Sequence, residues 1–157
     1  MIVLKTNREL ALMREACIIS AGALKLAGEA VEPGVTTAEI DKIAYDYIIK
    51  CGAKPNFLNY NGYPATACIS INDEVIHGIP SKKRVIEEGD IVSIDLGAVL
   101  EGFNGDNAAT FAAGAISSEA KRLCDTTKES LFLGIEKAVA GGRIGDIGYA
   151  VQHHCES

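Results

Sequence analysis

His77, Asp95 and Asp106 stand in two segments, SINDEVIHGIP and GDIVSIDLGAVLEGFNGDNAATF, and are the residues of this chain best placed to do chemistry. Two carboxylates forced together need a cation or a shared proton. One carboxylate can bridge two divalent ions while a second chelates one of them. Ions about 3.5–4 Å apart can then acidify a shared water and polarise a carbonyl. Oxygen ligands supplemented by histidine suit Mn, Fe, Co or Zn. The spacing equally allows two solvated carboxylates on the outer face of a sheet, and residue types alone leave that alternative open.

Whether the aspartates meet depends on strand parity. Val92, Ile94, Leu96, Ala98 and Leu100 alternate with Ile91, Ser93, Asp95, Gly97 and Val99, so one face is apolar and the other carries the carboxylate. Glu101-Gly102 reads as a two-residue hairpin loop. Position 100 then pairs with 103, Gly97 with Asp106, and Asp95 with Ala108. The aspartates become diagonal neighbours on one face, roughly 7–8 Å apart at the backbone. A three-residue loop would send them to opposite faces. Phe103, Ala109 and Phe111 are expected on the apolar side.

The flanking elements follow from pattern. Thr6-Asn7-Arg8-Glu9 is a capping box opening a long helix, with Leu10, Met13, Cys17, Ser20, Leu24, Ala27 and Val31 inward. Thr36-Thr37-Ala38-Glu39 opens a second, with Ile40, Ile43, Ala44, Tyr47 and Ile48 inward and Gly52 stopping it. Ala67, Ile69 and Ile71 mark a strand, and Val75 to His77 is expected to return beside it. Ser117 should cap a further helix with Ala120, Leu123, Cys124, Thr127, Leu131, Ile135 and Ala138 inward. Asp146 should start another, with Ile147, Ala150 and Val151 inside. Val31-Glu32-Pro33-Gly34 and Val139-Ala140-Gly141-Gly142 recur at a spacing of 108, a weak internal duplication.

With 157 residues, 48% of them hydrophobic and 23% charged, the chain suits one globular domain. Its net charge of -6 argues against direct nucleic-acid binding, and Lys82-Lys83-Arg84 reads as a solvated turn. Five scattered cysteines without a CxxC pair imply no disulfide framework. No apolar run is long enough for a signal peptide or a membrane span, so a cytoplasmic location is expected. His153-His154-Cys155-Glu156 cannot converge on one ion, because consecutive helical residues diverge by about 100°. Surface residues and one buried thiol are expected there. Cys68 reads as a buried thiol, and the glycines at 142, 145 and 148 as a break between helices.

The segments NYNGYPATACISINDEVIHGIP and GDIVSIDLGAVLEGFNGDNAATF, with PGVTTAEID before them, closely resemble type I methionine aminopeptidases from about residue 4 to the end. The resemblance implies an α+β pita-bread (creatinase/aminopeptidase) fold, here the N-terminal half plus the first helices of the second. It implies removal of the initiator methionine from nascent proteins at a site with two divalent ions (Co, Mn, Fe or Zn). Carried over residue by residue, Asp95 would chelate one ion, Asp106 would bridge both, and His77 would meet the substrate beside the scissile amide. Tyr60, Tyr63 and Cys68 match positions near the methionine side-chain pocket, with Phe57 at a variable position. Asn61 stands where some relatives carry histidine.

The family's other ligands, a histidine in a GHGIG-like segment and two glutamates, have no counterpart in this sequence. The expectation is therefore a single domain over 1–157, with a first half at about 4–114 and the start of a second at about 115–157. It would be C-terminally truncated, inactive alone and prone to self-association. A binding protein on the same scaffold is the alternative. Proline-specific peptidases of this fold would carry an N-terminal domain, for which a first helix beginning near Thr6 leaves no room.

Overall fold

A computed structural model describes residues 3–157. The chain divides into two compact units, one up to Ala115 and one from Ile116. In the first, helix α1 (Asn7–Glu29) is followed by helix α2 (Thr37–Lys50), a short strand β1 (Lys54–Pro55), and a turn of 3-10 helix at Tyr60–Gly62. Strands β2 (Ala67–Ile71), β3 (Ile91–Leu100) and β4 (Phe103–Ala112) complete it.

Both capping boxes form. The Thr6 hydroxyl accepts from Glu9 N at 3.3 Å while the Glu9 carboxylate accepts from Thr6 N at 2.7 Å. Thr36 and Glu39 repeat the exchange at 3.3 and 2.8 Å. Each box satisfies amide groups that the first helical turn leaves without partners.

Strand β3 is the centre of the sheet. It pairs antiparallel with β4 along its whole length on one edge, and with β2 and β1 on the other. The β3–β4 loop is the two-residue Glu101-Gly102, with φ of 50° and 81°. Positive φ at both loop positions gives the turn whose twist suits a tight hairpin. Val92, Ile94, Leu96 and Ala98 are fully buried against Ile19, Ala23, Ala27, Ile40, Ala44 and Ile48 of the two helices. This apolar contact is the core.

Of the residues expected inward on α1, Ser20, Leu24 and Ala27 are buried, and the face departs from the expectation at its start. Ala16, Ile19, Ser20, Ala23, Leu24 and Ala27 are buried, whereas Leu10 and Cys17 are exposed. The cause is close backbone approach: a Cβ on Gly105 of β4 would lie 2.3 Å from the Ala16 carbonyl oxygen. Gly105 lets the α1 backbone come close at Ala16, and it is Ala16 rather than Cys17 that faces the sheet there. Asn107, also on that face, donates to Ser20 Oγ at 2.5 Å. Ala109 lies on the helix-facing side by register but is exposed, while Phe111 packs at Gly28.

Val75–His77 is not a strand, contrary to the sequence expectation. Strand β2 pairs with β3, Cys68 opposite Asp95 and Ile71 opposite Val92. The chain after Ile71 loops out, and His77 takes a left-handed φ of 61°, which no extended strand accommodates.

The second unit holds α3 (Ser118–Glu136) and α4 (Ile144–Glu156). Ser117 Oγ caps α3 by accepting from Ala120 N at 3.0 Å. The expected inward residues Leu123, Leu131 and Ile135 are exposed. Ser130 and Gly134 are buried instead, and a Cβ on Gly134 would come within 2.9 Å of Val151. Small residues again mark the line of closest helix contact. Helix α4 starts at Ile144 rather than Asp146, whose carboxylate accepts from Arg143 N at 2.8 Å. Cys155, expected buried, is exposed, and His154 Nε2 lies 3.2 Å from a Glu129 carboxylate oxygen.

Candidate active site

The two-residue loop places Gly97 opposite Asp106 and Asp95 opposite Ala108. With side chains alternating across the sheet, both aspartates project from the face opposite the helices. Their carboxyl groups are within hydrogen-bonding reach of each other. The Asp95 carboxyl is raised above the usual carboxylate range, first by burial and then by the charge of Asp106, while the imidazole of His77 pulls it down. An acidic pair in this state favours a cation or a shared proton.

Asp95 also lies at the base of a cleft of about 630 Å³. Cys68, its cross-strand neighbour on β2, shares the base. Phe57, Tyr60, Tyr63 and Ile79 supply apolar walls, and His77 stands on the exposed lip. The structure thus gathers Phe57, Tyr60, Tyr63, Cys68, His77 and Asp95 around one cavity, with Asp106 beside Asp95. Asn61 lines it too, with φ of 48°.

The walls are built by a few polar ties. Tyr63 Oη lies 3.0 Å from the Ala67 carbonyl oxygen and 3.2 Å from that of Gly78. Burial, and then the hydrogen bond to Cys68, push the Tyr63 phenol well above its ordinary pKa, so it stays protonated. Burial likewise raises the Cys68 thiol, with the Tyr63 hydrogen bond opposing. Cys68 is a neutral thiol rather than a nucleophile.

Three contributors escaped the sequence reading. Asn56 donates its backbone N–H to Gly97 O at 2.9 Å and stands over Gly97, the residue opposite Asp106. Asp41 on α2 accepts from Thr66 N at 2.9 Å and Ala67 N at 2.8 Å, anchoring the start of β2. Ser70 is buried and accepts from Gly78 N at 3.0 Å. None had a local signature, because each acts on a backbone group far away in sequence.

Asp95 and Asp106 suit a divalent ion by charge and proximity. Among the described residues, no three His, Cys, Asp or Glu side chains form a group able to hold one. The pair alone could supply only part of a donor set. No helix among the described residues is long and apolar enough to cross a membrane.

Residues 11–157 match the profile of metallopeptidase family M24. A protein of Clostridium acetobutylicum named methionine aminopeptidase is 52% identical over 157 residues, all of this chain and 63% of the relative. One of Bacillus subtilis, named methionine aminopeptidase 1, is 45% identical over the same shares. The chain therefore spans about 63% of the length of these curated relatives. The crystal structure of methionine aminopeptidase from Rickettsia prowazekii superposes with a TM-score of 0.96 at 37% identity, covering 99% of this chain and 62% of that one. A prolidase from Pyrococcus furiosus shares the fold at a TM-score of 0.86 and 24% identity, over 98% of this chain and 44% of its own. The architecture is the α+β pita-bread fold, and the chain belongs to metallopeptidase family M24.

Proposed function

We propose that this chain carries part of a metal-dependent aminopeptidase that removes the initiator methionine from nascent proteins in the cytoplasm. The observation that bears most of the weight is the junction of an apolar cleft with an acidic pair. A methionine side chain suits walls of Phe57, Tyr60, Tyr63 and Ile79, and the scissile carbonyl would then lie toward Asp95 and Asp106. The similarity to proteins named methionine aminopeptidase supports the same reading.

Asp95 and Asp106 would hold the divalent ions (Co, Mn, Fe or Zn), Asp95 chelating and Asp106 bridging. Bound ions supply Lewis acidity and an acidified water. The chain's own residues bind and orient. The tyrosines and Phe57 exclude water from the side chain, Cys68 offers a small uncharged base, and His77 hydrogen-bonds the peptide near the bond to be broken. Two carboxylates are too few donors for a dinuclear centre, so the isolated 157-residue chain binds substrate without turning it over. In domain terms, about 4–114 would be one half of the fold and about 115–157 the start of the other. The missing third donor among the described residues favours one second reading, a binding protein on the same scaffold.

NMR titration tests this. Mn2+ should broaden signals around Asp95 and Asp106, and a Met-Ala-Ser peptide should shift those of Tyr60, Tyr63 and Cys68. Asp106→Ala should abolish the first response. Rapid methionine release by the isolated chain, abolished by Asp106→Ala, would overturn the inactivity. A peptide response without any cation response would favour the binding protein.

A further inference from the structure

We infer that Ser70 and Tyr63 are positioning residues for His77, acting through the peptide units that flank Gly78. This rests on the reading of the cleft as a peptide-binding site. His77 carries no regular hydrogen-bonded structure of its own: it lies in the loop after β2, exposed, with φ of 61°. A non-glycine residue holds a left-handed conformation only where its surroundings over-determine it. Here the constraint lies one residue on.

Gly78 is held from three directions. Its N–H donates to Ser70 Oγ at 3.0 Å, and its carbonyl accepts from Ile69 N at 2.8 Å and from Tyr63 Oη at 3.2 Å. There is no slack, because a Cβ at Gly78 would lie 2.1 Å from the Ile69 carbonyl oxygen. The loop is pressed onto the outer edge of β2, whose other edge pairs with the strand carrying Asp95. The sheet that aims the carboxylate thus also aims the imidazole.

The two ties differ in kind. Ser70 is buried and meets the N–H next to His77, so its loss frees the peptide bond joining residues 77 and 78. Tyr63 reaches both Gly78 O and Ala67 O with one hydroxyl proton, and it also lines the cleft. A change at the tyrosine is therefore transmitted to His77 through the Gly78 carbonyl.

The test uses the 157-residue chain, with Ser70→Ala and Tyr63→Phe as variants. Expected in Ser70→Ala is about five- to tenfold faster hydrogen exchange at the Gly78 amide, the loss of one net hydrogen bond. The His77 N–H to Hα coupling should also leave the value of a left-handed residue. Tyr63→Phe should move the same His77 and Gly78 signals more weakly. In both, signals of β3 and β4 should stay in place, showing that the sheet is intact. Unchanged His77 and Gly78 signals in both variants would overturn the inference. A Met-Ala-Ser peptide is added to the unsubstituted chain as a separate arm. If it leaves His77 unmoved, the peptide-binding reading fails, and with it the purpose assigned to the clamp, whereas the variant spectra report on the clamp alone.

Discussion

Asp95 and Asp106 sit diagonally across the β3–β4 pair, Asp95 opposite Ala108 and Asp106 opposite Gly97, with their carboxyls in mutual reach. Asn56 stands over Gly97 on the same face, and among the described residues the imidazole of His77 is what lowers the raised Asp95 carboxyl electrostatically.

That relationship sets a pH dependence. Asp95 is raised in the fold, so it contributes stability below its ordinary value near about 4 and loses that contribution as pH rises through the raised folded value. With EDTA present, the Tm of the chain should fall across this window as pH increases. Asp95→Asn should flatten that segment of the Tm profile and raise Tm at neutral pH. Mn2+ should stabilise the parent chain and leave Asp95→Asn little changed. Thermal scans against pH check all three.

The hairpin loop should accept improvement. Glu101 holds φ of 50° without the side chain that best tolerates it. Glu101→Asn should stabilise by about 0.5–1 kcal/mol, seen as a higher urea midpoint at constant slope. Gly102→Ala, at φ of 81°, should destabilise by about 1 kcal/mol or more.

Asp41 separates hydrogen bonding from charge. One of its oxygens accepts from both Thr66 N and Ala67 N, while burial raises its pKa against those two bonds. Asp41→Ala should cost about 2–4 kcal/mol by leaving two amides unmatched. Asp41→Asn keeps an acceptor and sheds a penalised charge, so its cost should stay under about 1 kcal/mol. Chemical denaturation of the two variants decides this.

Self-association should follow from the second unit. Leu123, Leu131, Phe132 and Ile135 of α3 are all more than half exposed. Exposed large apolar side chains in this number favour partner contact. Sedimentation at tens of micromolar should show a dimer or larger species, and Leu131→Lys with Ile135→Lys should return a monomer of 16.6 kDa.

The legible parts of this molecule are those with local chemical causes. Thr6/Glu9, Thr36/Glu39 and Ser117 announced three helix starts, and the alternation from Ile91 to Leu100 carried the parity of the aspartates. What misled was packing. The burial of Ala16 rather than Cys17, and of Ser130 and Gly134 rather than Leu131 and Ile135, depends on how closely two backbones approach, which periodicity does not encode. The returning strand at Val75–His77 failed because the edge of β2 is occupied by a loop, fixed by Ser70 and Tyr63 through bonds distant in sequence. The residues around the cleft were found by resemblance; their meeting in one cavity is a property of the fold.

The two aspartates are separated by eleven positions of chain, 95 to 106, closed by a two-residue loop. The polar bridge from Asn107 to Ser20, by contrast, spans 87 residues. Hairpins close in about 1–10 μs, and long-range docking pays its loop-closure entropy later. Loop closure therefore predicts that the acidic pair assembles early in folding, before α1 covers the back of the sheet. Its mutual repulsion opposes that early step, and a divalent ion held there as proposed would relieve it. On the proposed reading, added Mn2+ should therefore speed refolding of the chain, and stopped-flow refolding with and without the ion checks this.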